Sequence, residues 1–293
     1  MDKIKTGFLG YGVRALDALM EHPQFDVRYF LAPGSRLCQE VYEAQERYRD
    51  LLNMEIVNDN AQLASRFAEI SDVDCFVMNA CPIILNREVL AQMKVFNIHP
   101  GDLRYNRGHQ PHCWTVLLGE RQTKIVMHSV GEGIDQGGIV GSVDIAVSPE
   151  DSAGDVLDHA EDEIPVLLDA LYRHLAEGIP YESVIEEGGY RRIMEYGDYE
   201  LHLDMDTREQ IKRKILSRSL NHGAFFYYKG ERVYVDRLVS YQEYRDRENS
   251  AITVQVRETE GSVYIHSLWR SMVFRLNPSK ALLRKERTGD GLL

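Results

Sequence analysis

From residue 4 to residue 98 the chain repeats one order: a short apolar run, a turn, then a stretch with helical spacing. Residues 4–9, 27–32, 55–57, 75–78 and 95–98 read as strands, and residues 13–21, 39–52, 61–68 and 83–93 as helices. Strands joined by helical crossovers run parallel, and the helices cover both faces of the sheet. The expected class is therefore α/β with a Rossmann-like, mostly parallel sheet. Gly10-Tyr11-Gly12 at the first turn opens like a dinucleotide fingerprint, but Ala15 stands where the third glycine belongs. A tight strand–helix turn is the expected role, without a nicotinamide cofactor.

Beyond residue 98 the period changes. An irregular stretch to Gln110 precedes a helix through Trp114 and Leu118, residues 124–129 and 139–147 read as strands, and 153–175 reads as one long helix. After residue 198, one helix at 207–219 is followed by strands at 224–228, 232–238, 252–257, 262–266 and 272–276. One helix and five short strands suit a small β-barrel of the oligonucleotide/oligosaccharide-binding (OB-like) type. A length of 293 residues suits one large domain plus one small one, here 1–195 and 196–293. Residues 284–293 are expected to fray.

The net charge of −12 is unevenly spread. From Tyr196 onward about 17 Lys and Arg face about 14 Asp and Glu, which leaves the first domain near −15. Nucleic-acid affinity comes mainly from Lys and Arg neutralising phosphates, so a polyanion is not the expected partner, while a local phosphate site remains compatible. The N-terminal apolar run is too short for a signal peptide or membrane span, so a cytoplasmic location is expected. Cys38, Cys75, Cys81 and Cys113 have no CxxC spacing, which points to free thiols and no metal.

The most informative stretch is FNIHPGDLRYNRGHQPHCWTVLLGERQTKIVMHSVGEGIDQGGIV, residues 96–140. Its first strand ends in Asn97-Ile98-His99-Pro100. Alternation puts Asn97 and His99 on one side at the carboxyl end of a parallel strand, where open α/β sheets hold ligands. Asp135 lies between two glycine clusters. Singly, a strand-end His is usually satisfied by nearby backbone, and an Asp among glycines is an ordinary turn residue.

In order, Asn97-x-His99-Pro100, Leu103, Arg107-Gly108, Pro111, Trp114, Gly119-Glu120, Thr123, His128 and the run from Glu132 through Asp135 to Ile139 closely resemble the folate-dependent formyltransferase family. That family includes glycinamide ribonucleotide transformylase, methionyl-tRNA formyltransferase and the sugar N-formyltransferases. A weaker likeness covers the N-terminal sheet, and HGAFFYYKGERVYV resembles the start of the small C-terminal domain of the methionyl-tRNA and aminoarabinose enzymes. The resemblance implies the formyltransferase fold, 10-formyltetrahydrofolate as co-substrate, no metal, and Asn97, His99 and Asp135 as the catalytic set.

The residue types fit that chemistry. An attacked formyl carbonyl develops negative charge that an amide and a protonated imidazole stabilise, while a carboxylate orients the ring and assists proton removal from the amine. By the same resemblance, the folate pocket is lined by Ala80, Cys81, Pro82, Ile83 and Ile84 on one side. Val130, Gly131, Glu132, Gly133 and Ile134 line the other. Arg104, Tyr105, Arg107 and His109 are the expected acceptor contacts, where Arg and His suit a diphosphate. Gly101 replaces the family's usual Ser, and Leu103-Arg104 its Leu-Pro, so this loop is expected to bend differently.

The tRNA enzymes of the family carry a basic, glycine-rich insertion after the second strand. Here APGSRLCQEVYEAQERYRDLLN balances its charges. The expected acceptor is the amine of a nucleotide-linked amino sugar. Alternatives are another small amine, such as an N-hydroxyornithine or natural-product intermediate, methionyl-tRNA, or hydrolysis of the donor. Neither nucleic acid nor membrane is an expected partner, and a homodimer is compatible with the layout.

Overall fold

A computed structural model describes residues 3–36, 38–185, 188–221, 223–243, 253–257, 261–266 and 270–277. The chain divides into two compact units. The first comprises residues 1–111, 122–146 and 157–192, and the second 112–121, 147–156 and 193–293.

The early alternation runs β1 (Ile4–Gly10), α1 (Val13–Glu21), β2 (Phe25–Pro33), α2 (Gln39–Tyr48), β3 (Asn53–Val57), α3 (Asn60–Glu69), β4 (Cys75–Asn79), α4 (Arg87–Leu90) and β5 (Val95–His99). There follow β6 (Arg107–Gly108), α5 (Pro111–Leu118), β7 (Gln122–Ser129), β8 (Gly137–Ala146), α6 (Ala153–Asp162), α7 (Ile164–Glu177), β9 (Ser183–Ile185) and β10 (Tyr190–Arg191). The main sheet has eight strands in the order β3-β2-β1-β4-β5-β7-β8-β9. Strands β1 to β5 pair in parallel, and β7, β8 and β9 join antiparallel. A mostly parallel sheet inside an α/β fold is what the alternation implied.

Strand alternation sorts the apolar side chains into two cores. Phe8, Phe30, Val77, Phe96 and Ile98 pack with Leu16 and Leu19 of α1, Val41 of α2 and Leu167 of α7. Their chain neighbours Leu9, Leu31, Phe76, Met78 and Val95 pack with Leu63 and Phe67 of α3 and Val89 of α4. Each Leu or Phe wholly buried in this way contributes roughly 1.5–3 kcal/mol. The parity also decides direction: Asn97 and His99 lie on the Val95 side of the sheet.

Two expected helices are corrected. The helix expected over 83–93 shrinks to Arg87–Leu90, because Ala80 is left-handed (φ 51°), Pro82 lacks an N–H, and Asn86 Oδ1 accepts from Val89 N at 3.1 Å, which starts the helix late. The single helix expected over 153–175 breaks at Glu163, and Pro165 opens α7 in the first turn, where its missing N–H costs nothing. The N-terminal glycines behave as a tight turn. A Cβ on Gly10 would lie 1.9 Å from Asn79 O, and one on Gly12 1.7 Å from Asn79 Oδ1, so this chain's own β4 end fills the space.

The second unit contains α8 (Tyr196–Tyr199), α9 (Arg208–Leu216), β11 (Ala224–Tyr228), β12 (Glu231–Glu243), β13 (Thr253–Arg257), β14 (Ser262–His266) and β15 (Arg270–Leu276). Thr207 and Gln210 form a capping box at the start of α9. Ile211 and Ile215 then pack on Phe226, Val235, Ile265 and Phe274. The sheet is antiparallel in the order β11-β12-β15-β14-β13, and among the described residues its outer strands share no pairing. Residues 284–293, where fraying is expected, lie outside the described residues.

Candidate active site

Strand β5 delivers Asn97 and His99 to its carboxyl end, and antiparallel β7 sets His128 directly opposite Asn97. Asp135 comes from the turn before β8, held left-handed at φ 49°. The four side chains converge. Asn97 Nδ2 lies 3.2 Å from His128 Nε2 and 3.4 Å from Asp135 Oδ1. His99 Nδ1 is 3.5 Å from Asp135 Oδ2, and His128 Nε2 is 3.7 Å from Asp135 Oδ1. Asp135 Oδ2 also accepts the backbone N–H of Gly108 at 2.7 Å.

The partners define the protons. His99 Nε2 faces the carbonyl of Asn106 at 2.8 Å, and a carbonyl only accepts, so the neutral ring carries its proton on Nε2 and takes up a second at Nδ1, beside Asp135. His128 Nδ1 faces the carbonyl of Ser129 at 2.9 Å, which leaves its Nε2 to accept the Asn97 amide. Burial pushes His99 below its ordinary value, opposed by the Asp135 charge and the Asn106 carbonyl. Burial alone would raise the Asp135 carboxyl, but the charge of a protonated His99 or His128 beside it, with the Gly108 N–H, outweighs it and holds it at about 2. Asp135 is thus a half-buried carboxylate that stays charged.

The segments expected to line a folate pocket border this cluster. Residues 80–85 run without regular structure from the end of β4, and the turn before β8 is closed by Gln136 N donating to Gly133 O at 3.2 Å. Arg87 Nε of α4 approaches Glu132 Oε1 of that turn at 3.7 Å. Ile84 and Ile134 remain 62% and 39% exposed, apolar surface of the kind a pterin or aryl ring covers. Among the described residues, no cluster of His, Cys, Asp and Glu is placed to hold a metal ion. All four cysteines are free.

The loop expected to meet the acceptor divides. Tyr105 is exposed, and Arg104 lies over its ring at 5.2 Å while gripping Asp102 at 2.6 and 3.0 Å. Arg107 is buried instead, with Nη2 donating to Gly188 O at 2.7 Å and with Nε and Nη1 unpartnered among the described residues. His109 continues the loop, its N–H donating to Arg191 O. Three residues here were not singled out from the sequence. His128 stands in the motif and would have emerged from pairing β7 antiparallel to β5. Asn106 acts through its backbone, and Arg191 arrives from 85 residues away, so neither leaves a local signal.

Residues 40–171 match the family model described as formyl transferase, a span that contains Asn97, His99 and Asp135. That segment is what the chain shares with formyl transferases. Curated relatives include the methionyl-tRNA formyltransferase of Ehrlichia ruminantium (strain Gardel), 26% identical over 55% of this chain and 52% of the relative. Another is the dTDP-4-amino-4,6-dideoxyglucose formyltransferase of Mycobacterium bovis, 25% identical over 56% of this chain and 65% of the relative. The chain thus aligns with about half the length of the methionyl-tRNA relatives. Among solved structures, HypX from Aquifex aeolicus in complex with tetrahydrofolic acid superposes with a TM-score of 0.67 at 15% identity, over 98% of this chain and 48% of HypX. This likeness of fold extends on both sides of the matched segment.

Proposed function

We propose that this protein moves a formyl group from 10-formyltetrahydrofolate to the amine of a nucleotide-linked amino sugar. The observation that carries the reading is that Asn97 and His99, from the carboxyl end of β5, each lie within 3.5 Å of Asp135. The donor supplies an activated formyl group on a nitrogen. In the transfer a bond forms between the acceptor nitrogen and the formyl carbon, the bond to the donor nitrogen breaks, one proton leaves the amine and one reaches the donor nitrogen.

The chain's residues account for the charge and the protons. Asn97 exchanges its long contact to Asp135 for the formyl oxygen, where negative charge develops. Asp135, already charged, stabilises a proton gained by His99 Nδ1 as the amine is deprotonated, and the ring can return it to the departing nitrogen. Ile84, Ile134 and the neighbouring backbone hold the donor's rings and exclude water.

The acceptor class rests on the balanced charges of residues 32–53, on the acidic first part of the chain and on the activity named for the Mycobacterium bovis relative. Arg104 and Tyr105 offer the exposed loop contacts, and Arg107 pins the loop from beneath. The test is to incubate the full chain and 10-formyltetrahydrofolate with a panel of nucleotide amino sugars and read product masses. A gain of one formyl mass on a sugar supports the proposal. Formate release with no formylated product supports hydrolysis, and formylation confined to methionyl-tRNA overturns the acceptor class.

A further inference from the structure

Both proton-handling side chains of the site take backbone partners from one short stretch. His99 Nε2 bonds to Asn106 O at 2.8 Å, and Asp135 Oδ2 to Gly108 N at 2.7 Å. The placement of residues 106–108 therefore sets the ring's tautomer and the carboxylate's orientation together. That stretch has little regular structure of its own. It is held by residues 188–191, which run parallel to it as β10 against β6.

Backbone hydrogen bonds join the two segments. Arg107 N donates to Gly189 O, Gly189 N to Arg104 O and His109 N to Arg191 O, at 3.0, 2.8 and 3.1 Å. Glycines permit the approach: a Cβ on Gly108 would lie 2.4 Å from Arg191 O, and one on Gly189 2.6 Å from Tyr105 O. One side chain from β10 joins this backbone lattice to the site. Arg191 Nε donates to Asn106 Oδ1 at 2.9 Å, and Asn106, 1% exposed, presents its carbonyl to His99.

We infer that Arg191 is a positioning residue for the transfer: through Asn106 it fixes the carbonyl that holds His99 in the Nε2–H form, with Nδ1 turned toward Asp135. The inference rests on the proposed formyl transfer for its kinetic consequence and on the hydrogen bonds alone for its spectroscopic one. An outer partner that orients a reactive imidazole typically changes activity 10- to 100-fold without touching the substrate, and small misplacements act similarly. Arg191→Ala should therefore lower kcat roughly 10- to 100-fold and leave the KM for 10-formyltetrahydrofolate within about twofold.

The experiment uses the full chain with nitrogen-15-labelled histidine, as wild type, Arg191→Ala, Arg191→Gln and Arg191→Lys. The His99 ring resonances, assigned by loss in His99→Ala, are followed against pH. Wild type should show the Nε2–H form, Arg191→Ala a mixture of tautomers with a displaced titration, and Arg191→Gln and Arg191→Lys, each able to donate to Asn106 Oδ1, a partial return. If Arg191→Ala does not fold, the graded Gln and Lys variants carry the same comparison. An unchanged tautomer and titration in all three variants, or a loss seen only in KM, would overturn the inference. A wild type that transfers no formyl group while its His99 tautomer still depends on residue 191 would remove the proposed reaction and leave the positioning intact.

Discussion

At the residue scale the site contains two opposed tendencies, a carboxylate kept charged and an imidazole kept neutral by burial. His99→Ala and Asp135→Asn are expected to fold and to lose roughly 10²–10³-fold or more in kcat, as loss of a charge-stabilising group does. Because the groups act as a unit, the double variant should be little worse than the poorer single one, which steady-state kinetics will show. Stability should follow pH with definite signs. Asp135 sits at about 2, below its ordinary value, so its contribution is complete above about pH 4 and is lost as pH falls from there through about 2. His99 is also depressed, so the unfolded chain takes up a proton first and wild type loses stability as pH falls below about 6.5. Denaturant melts of wild type and His99→Asn across that range should converge toward acid. Parallel curves would show that His99 is not buried neutral.

At the element scale the β6–β10 pair is the most sensitive part. Gly108 has φ 99°, and an added Cβ would meet Arg191 O at 2.4 Å, so Gly108→Ala must part the strands. It should depress kcat for every acceptor alike while donor binding, read by calorimetry, stays close to wild type. In the second unit Thr207→Ala removes the cap of α9 and should cost about 1 kcal/mol in a denaturant melt without changing turnover. The strands of the main sheet were legible because both faces are covered: Phe8 and Leu9, or Phe30 and Leu31, are consecutive apolar residues sent to different cores. Residues 83–93 misled because their apolar spacing suits a helix, while Pro82 and the Asn86 cap act locally against an early start. Strands β6 and β10 have two residues each, too few for any period.

At the scale of the whole molecule, the motif from Asn97 to Asp135 was readable as a set through its resemblance to a family, while strand parity alone placed only Asn97 and His99 on one side. The hydrogen bonds that hold the set came from Asn106 and Arg191, where sequence distance hides the partner. Charge bears on the acceptor. With −12 overall, tight and salt-sensitive tRNA binding is not expected, and a gel-shift titration at two salt concentrations will check this. The central claim is that Asn97, His99 and Asp135 act on a formyl donor. Its most direct test is a transfer assay with carbon-13-labelled 10-formyltetrahydrofolate and an amine acceptor panel, comparing wild type with His99→Ala. The account predicts labelled formamide product with wild type and nearly none with His99→Ala; equal product from both, or no donor consumption by wild type, would contradict it.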